Sequence, residues 1–162
     1  MNDSVKEDIS IFSIIRNKEE KLYESYIDNI DINVKNEYKQ SLLHEAISSQ
    51  CFNIAFNLIE RGINVNIQDY KGQTALHFIC FHPNILLARK ILQNGGDVNV
   101  CDIYGNNPLW SAVFNCKGKY YEMVELFMKY NSDVNSKNNV GKSPLDFAVQ
   151  TGFDKLINLL RG

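Results

Sequence analysis

The sequence predicts an all-α fold in which helix-turn-helix units stack side by side as a solenoid. Three observations support this prediction. A short motif that ends in asparagine recurs at Asn33, Asn66, Asn99 and Asn135, so successive copies lie 33, 33 and 36 residues apart. A second motif, described next, keeps the same three intervals. The composition, 44% hydrophobic and 22% charged, is that of a globular protein able to bury a core.

The second motif is a tetrapeptide that opens with a small polar residue and has leucine at its third position. Its copies are Ser41-Leu42-Leu43-His44, Thr74-Ala75-Leu76-His77, Asn107-Pro108-Leu109-Trp110 and Ser143-Pro144-Leu145-Asp146. Two independent motifs therefore share one period and one three-residue insertion, which divides the chain into repeats. The repeats are predicted at about 7–35, 36–68, 69–101, 102–137 and 138–162. We expect residues 1–162 to form a single domain, with a degenerate first repeat and a truncated last one.

The third predicted repeat opens with a recognisable segment. Asp69-Tyr70-Lys71-Gly72-Gln73-Thr74-Ala75-Leu76-His77, with a period of 33 residues, resembles the ankyrin repeat. The stretches 102–110 and 138–146 follow the same pattern with changes, so the resemblance covers nearly the whole chain. It implies an ankyrin-repeat solenoid in which each repeat is a β-turn or hairpin tip followed by two short antiparallel helices. It also implies that the histidine of the tetrapeptide helps to tie neighbouring turns together.

The tips and the starts of the first helices are marked by residue type. Glycine suits the positive φ of a tight turn, and the tip glycines are Gly72, Gly105 and Gly141. Lys39 occupies the same place in the second repeat, which predicts a looser hairpin there. Thr74 and Ser143 are predicted to cap first helices through their hydroxyl groups. Proline follows the cap at Pro108 and Pro144, where no amide hydrogen is needed.

The predicted second helices end at Gly62 and Gly95, as C-terminal caps. Helices of roughly eight to ten residues are too short to be stable alone, so the repeats must stack. The register predicts buried residues in the first helices at Leu43, Ala46, Ile47, Leu76, Ile79, Leu109, Ala112, Val113, Leu145, Ala148 and Val149. In the second helices it predicts them at Ile54, Leu58, Ile59, Ala88, Ile91, Leu92, Val124, Leu126, Phe127, Ile157 and Leu160.

The sequence argues against several classes of function. A formal charge of −2 favours no nucleic-acid partner, and no apolar run is long enough to span a membrane. Residues 1–10 do not resemble a signal peptide, and the four cysteines form no CxxC motif, so we expect a reducing, cytoplasmic location. His44 and His77 recur by register, which indicates a structural role. We find no catalytic, cofactor or metal-binding motif, and we therefore expect a protein that is not an enzyme.

The candidate partner-binding residues lie at the tips and at the ends of the first helices. In ankyrin arrays these positions form a concave binding surface. Exposed aromatic side chains at such places are typical interface anchors. The candidates are Tyr38, Gln40, Tyr70, Lys71, Gln73, Phe81, His82, Ile103, Tyr104, Asn106, Phe114 and Lys142. As an alternative, Phe81 and Phe114 cover local gaps in the core. Lysines among the tips favour a neutral or mildly acidic partner.

Two functions are open at this stage, and both are protein binding. The segments 105–115 and 141–148 resemble compact bacterial ankyrin proteins, many of which are immunity proteins for secreted toxins. This resemblance implies a cytoplasmic protein that is a monomer alone, forms a heterodimer with one toxin domain and blocks its active site or substrate access. The alternative is a general adaptor, or a pathogen or viral effector, that recruits a cellular protein. The insertion at 115–119 lengthens one interhelix loop, either for function or as tolerated drift.

Overall fold

A computed structural model describes residues 10–162, and these residues contain ten α-helices, one 3₁₀ helix and no β-strand. The all-α prediction is therefore confirmed. The helices are α1 (Ile11–Arg16), α2 (Glu20–Tyr26), α3 (Leu42–Ser48), α4 (Phe52–Glu60), α5 (Ala75–Phe78), α6 (Ile85–Gln93), α7 (Pro108–Asn115), α8 (Glu122–Met128), α9 (Pro144–Thr151) and α10 (Asp154–Arg161), with the 3₁₀ helix at Ile27–Asn29. The predicted start of the first repeat at residue 7, and the segment judged not to be a signal peptide except for Ser10, lie outside the described residues.

The helices pack in two layers. In the first-helix layer, α1, α3, α5, α7 and α9 pack in a row, each against the next. In the second-helix layer, α4, α6 and α8 pack in the same way. Each first helix also packs against the second helix that follows it. This arrangement buries apolar side chains between the layers and between repeats, as expected for a stacked array.

The helix starts follow the predicted capping chemistry. The Ser143 hydroxyl accepts from the Asp146 amide at 3.1 Å, and the Asp146 carboxylate accepts from the Ser143 amide at 2.9 Å. This reciprocal pair satisfies two amides that the helix itself leaves unpaired. At Thr74 the corresponding contact is made by His77, whose Nδ1 accepts from the Thr74 amide at 3.1 Å. Pro108 and Pro144 are the first residues of α7 and α9, as predicted.

The second helices end as the glycines predict. Gly62, with φ of 84°, follows the end of α4, and its amide donates to the Ile59 carbonyl at 3.0 Å. The next amide, of Ile63, donates to the Leu58 carbonyl at 3.1 Å, which completes a glycine C-cap. Gly95, with φ of 86°, ends α6 in the same way.

The recurring asparagines hold neighbouring repeats together in the loops before the tips. The Asn33 side-chain oxygen accepts from the Asn64 amide at 2.9 Å, one repeat further along the chain. Asn66 accepts from Asp97, and Asn99 accepts from Asp133, at the same 2.9 Å. The asparagine of the first sequence motif thus accepts an inter-repeat hydrogen bond, and this explains why the motif recurs with the repeat period.

The predicted core is buried over most of the array and incomplete at its C-terminal end. Val149 was predicted to be buried, and this prediction is wrong, because the side chain is 49% exposed. Its counterparts one and two repeats earlier, Val113 and Cys80, are 2% and 5% exposed, since the following repeat covers them. Leu145 and Ile157 are half-buried for the same reason. Leu156, which was not predicted, is 1% exposed and fills the last second helix's inward face.

One first helix is shorter than predicted. The helix α5 has 4 residues, whereas α3, α7 and α9 have 7 or 8. After Phe78 the chain continues in tighter turns, in which the Cys80 amide donates to the His77 carbonyl and the Phe81 amide to the Phe78 carbonyl. Pro83 disfavours helical geometry in the residue before it, which limits extension of α5. His82 therefore lies in a turn after α5 and not at the end of the helix.

Candidate protein-binding surface

Four turns, here called the tips, lie at residues 36–40, 69–73, 102–106 and 138–142. Hydrogen bonds join each tip to the next, because the Tyr70 amide donates to the Tyr38 carbonyl at 3.0 Å and the Ile103 amide to the Lys71 carbonyl at 2.9 Å. The Asn139 amide donates to the Tyr104 carbonyl, also at 2.9 Å. The tips therefore form one continuous edge with fixed spacing between their side chains.

Left-handed backbone closes every tip. Gly72, Gly105 and Gly141 have φ of 74°, 79° and 74°, as predicted. Lys39 has φ of 58° at the equivalent position, and its amide donates to the Asn36 carbonyl at 2.9 Å as the glycines' amides do in theirs. The prediction of a looser first hairpin is therefore wrong. The cost of this geometry for a residue with a Cβ is about 1–2 kcal/mol, and the closed hairpin absorbs it.

Buried histidines connect the first helices to the tips. His44 Nδ1 accepts from the Ser41 amide at 3.1 Å, and Nε2 lies 3.1 Å from the Gln73 carbonyl of the next repeat. A carbonyl can only accept, so Nε2 has the proton and the ring is neutral. His77 repeats this arrangement with Thr74 and the Asn106 carbonyl. Desolvation lowers the pKa of both rings, to about 4 for His44, so neither is a general base in solvent.

The tip side chains that face solvent are mostly large and apolar. Tyr38 and Tyr70 are each 52% exposed, and Ile103 and Tyr104 are each 55% exposed. The Tyr38 and Tyr70 rings lie 6.0 Å apart, and Lys71 Nζ lies 5.4 Å from the centre of the Tyr70 ring. Because their backbone is fixed by the tip hydrogen bonds, these side chains are presented in a defined row.

Three aromatic rings form a platform on the first-helix layer, here called the aromatic cluster. Trp110 and Phe114 stack at 5.7 Å along α7, and Phe147 of α9 lies 5.0 Å from Trp110 and 5.8 Å from Phe114. Phe114 is 53% exposed, so it does more than cover a gap in the core. Sequence analysis missed Trp110 and Phe147, although they follow the predicted core residues Leu109 and Leu145 by one and two positions. Their signal was three aromatic residues on adjoining first helices.

Trp110 occupies the histidine position of its repeat and lacks the histidine's bond. Its Nε1 is buried and has no hydrogen-bond partner among the described residues. By register the acceptor would be the Lys142 carbonyl, which accepts the tip bond from the Asn138 amide at 2.9 Å but none from the indole, whereas the Gln73 and Asn106 carbonyls each accept from a tip amide and from a histidine. A buried N–H without a partner costs about 1–3 kcal/mol. The array has therefore given up one inter-repeat bond at the position where the aromatic cluster forms.

A pocket of about 210 Å³ lies where α3, the second tip and α5 meet, and it is lined by Ser48, Gln73, Phe78, Phe81 and His82. Phe81 is 52% exposed, while Phe78 and His82 are half-buried. The pocket includes a tip residue and first-helix residues, so the tips and the first-helix layer share one surface. We call it the tip-and-helix surface: the exposed side chains of the four tips and of α3, α5, α7 and α9 with the turn after α5.

Some predicted site residues have their side chains engaged within the array. Gln40 accepts from the Asn36 side chain at 3.1 Å, and Asn106 accepts from the Asn138 side chain at 2.9 Å. These two amides stabilise the tips and offer less to a partner than the aromatic residues do. Lys142 remains exposed at the last tip. A larger depression of about 560 Å³ lies between α1 and the first tip, and Tyr38 forms part of its wall.

Three of the four cysteine thiols are poorly suited to nucleophilic chemistry, and the fourth, Cys101, is exposed. Cys51, Cys80 and Cys116 are buried, and desolvation raises the pKa of each thiol. A raised pKa reduces the thiolate fraction, and the thiolate is the reactive form. Residues 10–162 hold no cluster of three or more His, Cys, Asp or Glu side chains suited to a metal ion. None of the helices in this described range has the length and hydropathy needed to cross a membrane.

The comparison with protein families identifies the repeat. A family model described as "Ankyrin repeats (3 copies)" matches residues 43–138 and 84–162, which together cover well over half of the chain. The chain belongs to the ankyrin-repeat family. Repeats of this family form protein–protein interaction modules that are generally non-catalytic. The search of the curated proteins finds no match.

Proposed function

We propose that this protein is an immunity protein, which binds a cognate toxin domain through the tip-and-helix surface and neutralises it. The observation that carries the proposal is the exposed aromatic cluster beside an aromatic row of tips. Large rings held in fixed positions supply contact area at a low cost in conformational entropy, and such residues dominate binding energy in protein interfaces. The resemblance of residues 105–115 and 141–148 to compact bacterial immunity proteins supplies the class of partner.

Neutralisation on this account is steric. The array would cover the toxin's active site or its route for substrate, and no chemistry on the ankyrin side is required. The whole chain acts as one domain, as a cytoplasmic monomer that becomes a heterodimer with its toxin. Twelve residues form the proposed contact set: Tyr38, Gln40, Tyr70, Lys71, Gln73, Phe81, His82, Ile103, Tyr104, Asn106, Phe114 and Lys142. Trp110, Phe78 and Phe147 join them because they line the same surface.

The test is growth of a susceptible bacterial strain that expresses the C-terminal domain of the protein encoded beside this chain. Co-expression of the wild-type chain should restore growth, and the Phe81→Ala/Phe114→Ala double variant should restore it less well. The matched control is Leu86→Ala, because Leu86 is 71% exposed on α6 in the second-helix layer. A domain that is harmless, or toxic without rescue by the wild-type chain, would refute the immunity role and favour an adaptor.

A further inference from the structure

The inserted loop between α7 and α8 is held in place by hydrogen bonds and by packing. The Lys119 and Tyr120 amides both donate to the Cys116 carbonyl, at 2.9 and 3.1 Å, and the Tyr121 hydroxyl donates to the Gly118 carbonyl at 2.6 Å. The Phe153 ring packs so closely on Gly118 that a Cβ there would lie 2.9 Å from it. The loop is therefore fixed in place.

This loop borders the tip-and-helix surface on the side opposite the tips. The third tip directly precedes α7, whereas the loop directly follows it, and an eight-residue helix separates its ends by about 12 Å. Phe114 lies in the last turn of α7, next to the loop. Lys117 and Lys119 are exposed, and Tyr120 is 67% exposed. Two lysines thus stand at the far edge of the aromatic cluster.

The tips supply a second basic edge. Lys39 and Lys142 are exposed and Lys71 is half-buried, and Glu37 is the one exposed carboxylate within the four tips. None of these three lysines, nor Lys117 or Lys119, forms an ion pair within the described part of the chain. The aromatic cluster therefore lies between Lys142 of the fourth tip and the two loop lysines, and none of these three is ion-paired within the described residues.

The other carboxylates of this surface are already bound internally. Glu45 is held by the Arg16 guanidinium at 3.0 and 2.9 Å, and Asp146 pairs with Lys137. The hydrogen bond from Lys137, followed by those from Ser143, holds the pKa of Asp146 well below its usual range. Asp69 and Asp102 are buried and accept from amides of their own tips. These carboxylates offer no free negative charge to a partner.

We infer that the tip-and-helix surface, together with the inserted loop, recognises a protein segment in which apolar side chains are flanked on both sides by carboxylates. The apolar side chains would pack on the aromatic cluster and in the pocket beside Phe81. The carboxylates would meet the lysines of the tips on one side and Lys117 and Lys119 on the other. Complementary charge at the rim gives register and selectivity more than raw affinity. This inference rests on the proposed protein-binding role and adds the chemistry of the bound segment.

The first experiment uses a displayed library of random peptides as the probe, selected on the wild-type protein and counter-selected on Phe114→Ala. Peptides retained by the wild-type protein should combine apolar residues with an excess of Asp and Glu over Lys and Arg. Retained peptides with no acidic excess would overturn the inference, as would a selection that retains none. Because the library contains no toxin, its result is independent of the growth assay: rescue can succeed while the acidic preference fails, and the reverse.

The second experiment tests the loop edge with a synthetic peptide from that selection that lacks tryptophan. Binding is followed by the fluorescence of Trp110, the single tryptophan of the chain, which lies in the aromatic cluster. The Lys117→Gln/Lys119→Gln variant should weaken binding about tenfold at low salt and much less at high salt, because salt screens exposed charges. Lys129→Gln, an exposed site at the end of α8, is the control. Equal affinity for the loop variant and the control would contradict a role for the loop.

Discussion

At the scale of single residues, Trp110 differs from the two structural histidines in its hydrogen bonding. His44 and His77 each bridge to a tip carbonyl of the next repeat, whereas Trp110, in the same position, leaves its Nε1 without a partner among the described residues. An indole in a structural histidine's place sacrifices a hydrogen bond and gains aromatic surface. Such an exchange is favourable when the aromatic surface contacts a binding partner.

Trp110→His should therefore separate the two roles. The new imidazole can donate to the Lys142 carbonyl, as His77 does to Asn106, and this offsets the lost packing of the indole. We expect the free energy of unfolding in urea to change by less than about 1 kcal/mol. Affinity for the partner should fall by more than about 1 kcal/mol, because aromatic contact is lost. Unchanged affinity in this variant would remove Trp110 from the binding surface.

His44 makes stability depend on pH. Desolvation lowers its pKa from 6.5 to about 4, and the hydrogen bond to the Gln73 carbonyl offsets part of this effect. As the pH falls below about 6.5, the unfolded chain binds a proton at this ring while the folded chain does not. The contribution of His44 to the free energy of unfolding is therefore complete above about pH 6.5 and is lost as the pH falls towards about 4. The loss is on the order of 3 kcal/mol.

The measurement is urea denaturation of the wild type and of His44→Gln at several pH values across this range. The variant should be less stable at neutral pH, since it loses the ring's hydrogen bonds to Ser41 and Gln73, but its stability should fall less on acidification. The difference between the two proteins isolates His44 from the carboxylates that titrate in the same range. Parallel pH profiles would show that His44 is not the titrating group.

At the scale of elements, the tips depend on close approach of one turn to the next. A Cβ on Gly105 would lie 2.9 Å from the Asn138 Cα, whereas a Cβ on Gly141 would meet nothing within 4 Å. Both glycines have left-handed backbone, with φ of 79° and 74°, so substitution strains the backbone about equally. The difference between the two sites is the neighbouring tip.

Gly105→Ala should consequently cost more than Gly141→Ala. The control should lose about 1–2 kcal/mol, which is the cost of left-handed geometry for a residue with a Cβ. The Gly105 variant should lose at least about 1 kcal/mol more, because backbone of the fourth tip must move. Urea denaturation of both variants measures this difference. Equal losses would mean that the contact between tips relaxes without cost.

Elements also show what the sequence could and could not predict. The caps, the tip glycines and the helix-ending glycines were predictable because each depends on local backbone chemistry that one residue type satisfies. The 4-residue length of α5 was not predicted, because the repeat pattern predicts first helices of equal length. In this repeat Pro83 and the tight turns after Phe78 end the helix early. The aromatic cluster was predicted only in part, because α7 and α9 bring Trp110, Phe114 and Phe147 together across a repeat boundary.

At the scale of the whole molecule, each repeat is stabilised by the one that follows it. Val113 and Val149 are the same residue type at the same register position, yet they are 2% and 49% exposed. This difference arises from stacking alone, because both lie in first helices of similar length. The exposure of Val149 was not visible in the repeat pattern, which assigns equal burial to equivalent positions.

Val113→Ala should destabilise the protein by about 2 kcal/mol, from lost burial of two methyl groups and the cavity that remains. Val149→Ala should cost less than about 0.5 kcal/mol, as is usual for an exposed site. Chemical denaturation of the two variants under identical conditions gives the comparison. Similar losses at both positions would contradict the stacking register described above.

The central claim is that the tip-and-helix surface binds a protein partner through its aromatic side chains. The most direct test is calorimetric titration of the proposed partner, the C-terminal domain of the protein encoded beside this chain, with the wild type, Phe114→Ala and Leu86→Ala. Phe114 is 53% exposed in the aromatic cluster, and Leu86 is 71% exposed in the second-helix layer. We predict nanomolar binding by the wild type, at least about fivefold weaker binding by Phe114→Ala, and no change in Leu86→Ala. Wild-type affinity in Phe114→Ala, or a loss in Leu86→Ala instead, would contradict this account of the surface.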